Sequence, residues 1–267
     1  MIKLVVADMD GTLLDDQKKL PADFFEVLER LQQKGILFCV ASGRQYYTLL
    51  EEFFDIRDSI VFCAENGTYV VYKNDVIHLD TMKKSDAIQL IKVGRKIKNA
   101  FLVLCCKDSA YVENTDVAFL DEVRKYYKRL EIVGDLTQVE DEILKVTLCD
   151  FGDSEKNSYT YYSDFEKDFK VAISGKIWLD ITNLSANKGT AIKQLQKDFN
   201  ISFDETLVFG DFLNDLEMME TAKFSYAMKN SHPEILEAAS FVTQFSNNES
   251  GVTKTIKYLC CPEVLPV

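Results

Sequence analysis

Histidine is almost absent from this chain: His78 and His232 are the only two in 267 residues. Seven cysteines are present, yet none is spaced as Cys-x-x-Cys. These shortages exclude the common zinc donor sets, which need clustered imidazoles and thiolates. No stretch approaches the ~18 apolar residues that cross a bilayer, so a membrane is not an expected partner. Met1-Ile2-Lys3 leads straight into an apolar run without a secretory pattern. With an odd cysteine count, that reads as a reducing, cytoplasmic setting. Cys39, Cys63, Cys105 and Cys149 fall in strand-like runs and read as small core residues. Positive charge is short too: 31 basic against 43 acidic residues give a net charge of -12. Such a surface repels a phosphate backbone, so nucleic acid is not an expected partner either. A small anion remains possible, because it answers to the local field and often to a metal.

What the chain does have is apolar residues, 47% of the total, enough for one large domain or two smaller ones. Residues 2–7, 36–41 and 60–64 are short apolar runs that fit buried parallel strands. Helical patterns at 22–34 and 45–54 separate them. In the first, Phe24, Leu28 and Leu31 share a face, Pro21 stands at its start and Gly35 just past its end. Strand, helix, strand, helix, strand predicts an α/β fold with a doubly wound, Rossmann-like parallel sheet. Ligands bind such sheets at the carboxyl ends of the strands. Here those ends are Asp8-Met9-Asp10, Ser42-Gly43-Arg44 and Glu65-Asn66-Gly67.

From about residue 67 the pattern changes to hairpins among helices, one of them around Lys73-Asn74-Asp75. Alternation returns late in the chain. Asn187 is placed to cap a helix at 188–199, and an apolar strand at 206–209 stops at Gly210-Asp211. The predicted organisation is therefore a discontinuous sheet domain, 1–81 and 185–267, with an α+β module inserted at 82–184. The tail after Cys260-Cys261 carries two prolines and reads as extended.

Asp8 and Asp10 are two apart in extended backbone, so their carboxylates face one way while the Met9 side chain faces the other. Gly11 permits a sharp exit from the strand. Two close carboxylates repel, and a divalent cation relieves them; oxygen-only donors favour magnesium. Taken alone, Asp-Gly is as well explained by a turn. Asp211 and Asp215 form a second acidic cluster at a second strand end, although acids also suit a helix start. Ser42-Gly43 offers a hydroxyl and free N–H groups for a phosphate, or an ordinary helix cap. Lys188 lies in the first turn of a helix, where the macrodipole disfavours a cation unless an anion compensates.

Taken together and in this order, Asp8-Met9-Asp10-Gly11-Thr12, Ser42-Gly43-Arg44, Lys188 and Gly210-Asp211-x-x-Asn214-Asp215 resemble the four motifs of the haloacid dehalogenase superfamily. Glu65-Asn66-Gly67, Trp178-Leu179-Asp180-Ile181, Asn187-Lys188-Gly189 and Ala227-Met228-Lys229-Asn230 resemble its Cof-type branch, whose cap lies between the second and third motifs. The resemblance implies a magnesium-dependent phosphatase acting on a small phosphorylated metabolite. In that scheme Asp8 is the nucleophile and Asp10 the acid and base. Asp8, the Asp10 backbone carbonyl and Asp211 hold the metal. Ser42, Lys188, Asn214 and the N–H groups of Met9 and Gly43 hold the phosphoryl oxygens. Asp215 orients Lys188 or a metal-bound water, and the Thr12 hydroxyl ties the loop together. The cap excludes water and meets the leaving group, with sugar phosphates the expected class. Arg44 stays open between a surface residue and a substrate contact. Phe212 departs from the small or polar residue usual at its position. Two alternatives remain: a phosphomutase of the same superfamily, and a non-enzymatic phospho-acceptor of the receiver type.

Overall fold

The structure, a computed structural model, describes residues 1–261. The tail expected to be extended, 262–267, lies outside them. The first apolar run forms β1 (Leu4–Asp8), buried at every position. A strand covered on both faces has no polar side to alternate with, which is why the run is continuous. In α1 (Phe24–Gln33), Phe24, Val27, Leu28 and Leu31 are buried at helical spacing. The chain leaves it through Gly35, whose φ of +68° is left-handed and costs glycine little. β2 (Leu37–Ala41), α2 (Tyr46–Glu52) and β3 (Val61–Ala64) continue the alternation. β4 (Tyr69–Tyr72) and β5 (Asp75–Leu79) follow, joined through Lys73 and Asn74 at φ +51° and +68°. Two left-handed residues in a row are what a type I′ hairpin turn needs.

Next come α3 (Lys84–Gly94), β6 (Ala100–Cys106), β7 (Ala110–Val112), α4 (Val117–Val123) and β8 (Leu130–Ile132). β9 (Ile143–Asp150), α5 (Ser158–Tyr162), β10 (Phe169–Gly175) and β11 (Trp178–Asn183) complete the middle of the chain. The last third holds α6 (Lys188–Asp198), β12 (Thr206–Gly210), α7 (Leu216–Met219), β13 (Phe224–Ala227), α8 (Pro233–Ala238), β14 (Phe241–Val242) and α9 (Gly251–Cys260). Among the described residues no helix is long and apolar enough to cross a membrane.

These elements form two compact units. One contains Met1–Gly43, Glu52–His78 and the described chain from Asn187 to Cys261; the other contains Arg44–Glu51 and Leu79–Ala186. The first carries an eight-stranded sheet ordered β14-β13-β12-β1-β2-β3-β4-β5. It is parallel from β14 to β3 and turns antiparallel at β4. Val6, Cys39, Val61 and Val208 of the central strands pack on Ala191, Ile192 and Leu195 of α6. The inserted unit carries a six-stranded sheet ordered β10-β11-β9-β6-β7-β8, antiparallel except between β7 and β8. The fold is thus the α/β sheet with an α+β insertion that the sequence predicts.

One segment falls on the other side of the expected boundary. Arg44–Glu51 groups with the inserted unit, not with the sheet whose strand it follows. The cause is a set of specific contacts. The Gln45 amide donates to the Arg129 carbonyl (3.0 Å) and accepts from the Arg129 N–H (3.1 Å), in the manner of a paired strand. The Thr48 hydroxyl donates to the Tyr126 carbonyl (2.9 Å), and the Arg129 guanidinium lies 3.6 Å from the Tyr47 ring centroid. Arg44 itself lies in this segment.

Candidate active site

β1 lies between β12 and β2 in parallel register, with Ala7 opposite Phe209 and Asp8 opposite Ala41. Adjacent strands stand about 4.8 Å apart. Residues just past the ends of these strands are therefore neighbours in space, although 34 to 203 positions separate them in sequence. Asp8, Ser42 and Asp211 reach one sheet edge for that reason.

Asp8, at 6% exposure, accepts a 2.5 Å hydrogen bond from the Lys188 ammonium. Lys188 is wholly buried at the first position of α6 and donates also to Asp215 Oδ1 at 2.7 Å. The anions that offset its unfavourable helix position are thus the protein's own. The helix start is capped as predicted: Asn187 Oδ1 accepts from the Thr190 N–H at 2.8 Å. The second oxygen of Asp215 accepts from the N–H groups of Asp211 (2.9 Å) and Phe212 (3.3 Å). Thr12 reaches across from the loop after β1 and donates to Asp211 Oδ1 at 2.9 Å. Between them stands Gly11 at φ +85°, where a Cβ would come within 2.4 Å of Asp211 Oδ2. Any larger residue there would push the two acidic clusters apart.

Carboxylate oxygens of Asp8, Asp211 and Asp215 all lie within 4.8 Å of one another. Burial pushes the Asp8 carboxyl up to about 8, against the pull of Lys188, and the charges of Asp215 and Asp211 add to the rise. Burial likewise lifts Asp211 to about 6, with Thr12 opposing and Asp215 adding to it. Burial alone would lower the Lys188 ammonium, but Asp215 and Asp8 more than reverse this, so it stays charged. Three carboxylates around one ammonium leave an excess of negative charge in a buried place.

A profile of the family described as haloacid dehalogenase-like hydrolase matches residues 5–256 of this chain, which spans every residue of the cluster. The chain belongs to that family. The Escherichia coli (strain K12) protein named 5-amino-6-(5-phospho-D-ribitylamino)uracil phosphatase YbjI is 33% identical over 96% of this chain and 95% of its own. Among solved structures, SMU.1108c of Streptococcus mutans UA159 superposes with a TM-score of 0.84 at 28% identity, covering 97% of this chain and 98% of that one. TM0651 of Thermotoga maritima gives 0.86 at 26% identity, covering 97% and 98%. The chain is accordingly a phosphatase of the haloacid dehalogenase type.

The acidic cluster of this hydrolase suits a hard divalent cation. Its donors are all oxygen, it carries surplus negative charge, and two carboxyls rise as that charge is confined. Asp215 is less available than its neighbours, since both its oxygens already accept hydrogen bonds.

The other predicted residues sit as follows. Met9 is fully buried, its side chain turned into the core. Ser42 is 2% exposed, with its N–H on the Cys63 carbonyl and its own carbonyl accepting from Asn66 N–H, each at 2.9 Å. Gly43 lies beside Asn66, and Asn214 donates its amide to Asn66 Oδ1 at 3.1 Å. The Asp10 carboxylate is not part of the tight acidic group; it accepts from Lys18 at 2.8 Å. Phe212 is 55% exposed and meets His232 edge to face, ring centroids 5.6 Å apart.

Two residues escaped the sequence reading. Lys18 is carried on a turn built by Asp15, whose Oδ1 accepts from the N–H groups of Gln17 (2.8 Å) and Lys19 (2.9 Å). Its only signal was Asp-x-x-Lys in a polar loop. Asn66 had a stronger signal, an Asn-Gly pair at a strand end, and was read as part of the ligand-binding edge and as a mark of the family, but with no role of its own.

Proposed function

We propose that this hydrolase is a magnesium-dependent phosphatase that cleaves small phosphate monoesters through an aspartyl phosphate on Asp8. The observation that carries the reading is Asp8 itself, buried and held at 2.5 Å by an equally buried lysine, beside two further carboxylates. A buried, oriented carboxylate suits nucleophilic attack, because its direction is fixed before substrate arrives.

In the first step an Asp8 oxygen attacks phosphorus and the ester P–O bond breaks. The departing alkoxide takes a proton from Asp10. In the second step Asp10 removes a proton from water, whose oxygen attacks the same phosphorus. The acyl phosphate bond breaks, inorganic phosphate leaves and the Asp8 carboxylate is restored. Lys188 stays charged throughout and stabilises the phosphoryl oxygens, with Asp215 holding it in place. The Ser42 hydroxyl, the Asn214 amide and the N–H groups of Met9 and Gly43 serve the same oxygens as charge shifts in the transition state. Asp8, the Asp10 carbonyl and Asp211 would hold magnesium, which would supply charge that offsets the repulsion between carboxylate and phosphate.

For the leaving group we propose a sugar or related polyhydroxylated chain. The Escherichia coli relative is named for a phosphate carried on a ribityl group, which supports that class. A reducing, cytoplasmic setting belongs to the same proposal, supported by seven cysteines that are all buried and free.

The test is a panel of phosphate monoesters with purified protein and magnesium, read as inorganic phosphate released. Turnover with no sugar acceptor present is the expected result and separates hydrolysis from mutase chemistry. Full turnover after exhaustive chelation would remove the metal from the scheme.

A further inference from the structure

Three consecutive residues after β3 have left-handed backbone: Glu65 at φ +50°, Asn66 at +54° and Gly67 at +97°. Side-chain-bearing residues rarely hold that conformation, and such departures cluster where surroundings fix them for a reason. Here the turn is wedged between two parts of the candidate site. On one side the Asn66 N–H donates to the Ser42 carbonyl at 2.9 Å. On the other, a Cβ on Gly67 would meet the Asn187 carbonyl at 2.4 Å and the Lys188 nitrogen at 3.0 Å. The turn therefore touches both the end of β2 and the start of α6.

The Asn66 side chain makes the third connection. Its Oδ1 accepts from Asn214 Nδ2 at 3.1 Å. A Cβ on Gly43 would lie 3.1 Å from both Asn66 Nδ2 and Oδ1, so the amide lies against the Gly43 backbone. Asn214 Nδ2 carries two hydrogens. With one committed to Asn66, the direction of the other is set.

We infer that Asn66 is a positioning residue that aligns the Asn214 amide and the Gly43 backbone for the phosphoryl group, an inference resting on the phosphatase reading above. It touches no reacting atom and acts through its two neighbours. The turn alone does not call for this amide, because glycine meets a φ of +54° with less strain than asparagine. Nor does the apolar core call for it, since the residue is only half-buried.

Asn66→Gly keeps the backbone conformation and deletes the amide. Expected are an unchanged melting temperature, a kcat lower by about tenfold and a KM within about twofold, the pattern of a lost transition-state alignment. The decisive comparison adds Asn214→Ala. If Asn66 works through Asn214, Asn66→Gly has little further effect in that background; if it supports the fold in general, the two losses multiply. Parent-like kcat in Asn66→Gly, multiplying losses, or a melting temperature that falls with kcat would each overturn the inference. A parent chain that releases no phosphate from any monoester would instead overturn the reading beneath it.

Discussion

Lys188 and Arg95 are each a cation held between two carboxylates, one in each unit of the fold. Lys188 bridges Asp8 and Asp215 with side-chain exposures of 0%, 9% and 0%. Arg95 forks between Glu113 and Asp135 with exposures of 35%, 20% and 43%. The charge pattern is the same, yet Asp8 moves the opposite way from Glu113 and Asp135. The Arg95 hydrogen bond pulls Asp135 down to about 2, and it lowers Glu113 as well. Asp8 rises to about 8 although its lysine, at 2.5 Å, is as close as Arg95 is to Glu113, because burial outweighs the neighbouring charge. Water decides the sign. Near solvent, a cation only has to attract; in the buried site, Asp8 loses more hydration than the ammonium returns. The surface trio is ordinary stabilisation of an exposed edge. The buried one is a strained arrangement that makes sense when further positive charge and a phosphate join it.

The largest effect that would sharpen this contrast comes from Asp8→Asn. We expect turnover to fall by at least about a thousandfold, because the proposed nucleophile is gone. Stability should move the other way. The metal-free fold keeps a proton on Asp8 up to about pH 8, whereas the unfolded chain releases it near the ordinary 3.8. Between those values the native state binds more protons, so its stability is complete below the lower value and is lost as pH rises through the upper one. In chelator, the parent's melting temperature should therefore fall from pH 5 to pH 8 more steeply than that of Asp8→Asn, and magnesium should raise it more at pH 8 than at pH 5. Equal slopes for the two proteins would count against a confined Asp8 charge. Next in size is Lys188→Met. It leaves Asp8 and Asp215 buried without their cation, so chemical denaturation should show a loss of about 3–5 kcal/mol, along with lost turnover.

The parts of this architecture that were legible in sequence are those set by local chemistry. Continuous apolar runs announced β1, β2 and β3 as strands covered on both faces, and Asn187 announced the start of α6 three residues before the N–H it caps. The strand-end acids were legible because a sheet has few places to put charge. The boundary at Arg44 was not legible. Gln45 pairs with the backbone of Arg129, 84 positions away, and no local pattern encodes a partner at that distance. The compensation of Lys188 was half legible: the helix position demanded an anion and the resemblance offered Asp215 as its partner, but only the folded chain adds Asp8. Lys18 was hidden for the opposite reason, being one of two adjacent lysines in a polar loop, distinguished only by a turn that aims it at Asp10.

Thr12→Val tests a smaller link within the buried site. Its hydroxyl donates to Asp211 Oδ1 at 2.9 Å, and a near-isosteric methyl removes only that bond. Groups that orient a metal-binding carboxylate typically matter about tenfold or more in metal affinity. The magnesium concentration for half-maximal turnover should rise by about tenfold, with much of the parent rate recovered at saturation. A lowered rate that extra magnesium does not restore would mean Thr12 supports the loop rather than Asp211.

The smallest expected effect belongs to Arg95→Met, and it bears most directly on the comparison. Removing this cation leaves Glu113 and Asp135 beside solvent, where water takes over their hydration. Exposed ion pairs contribute little for that reason. The melting temperature at neutral pH should stay within about 2 °C of the parent, and turnover should be unchanged. Added salt should shrink even that difference, because screening acts on exposed charges first. Should Arg95→Met instead destabilise the fold as much as Lys188→Met does, burial would not be what separates the two trios. The geometry of the fork, which donates from two nitrogens to two acids, would then have to carry the explanation.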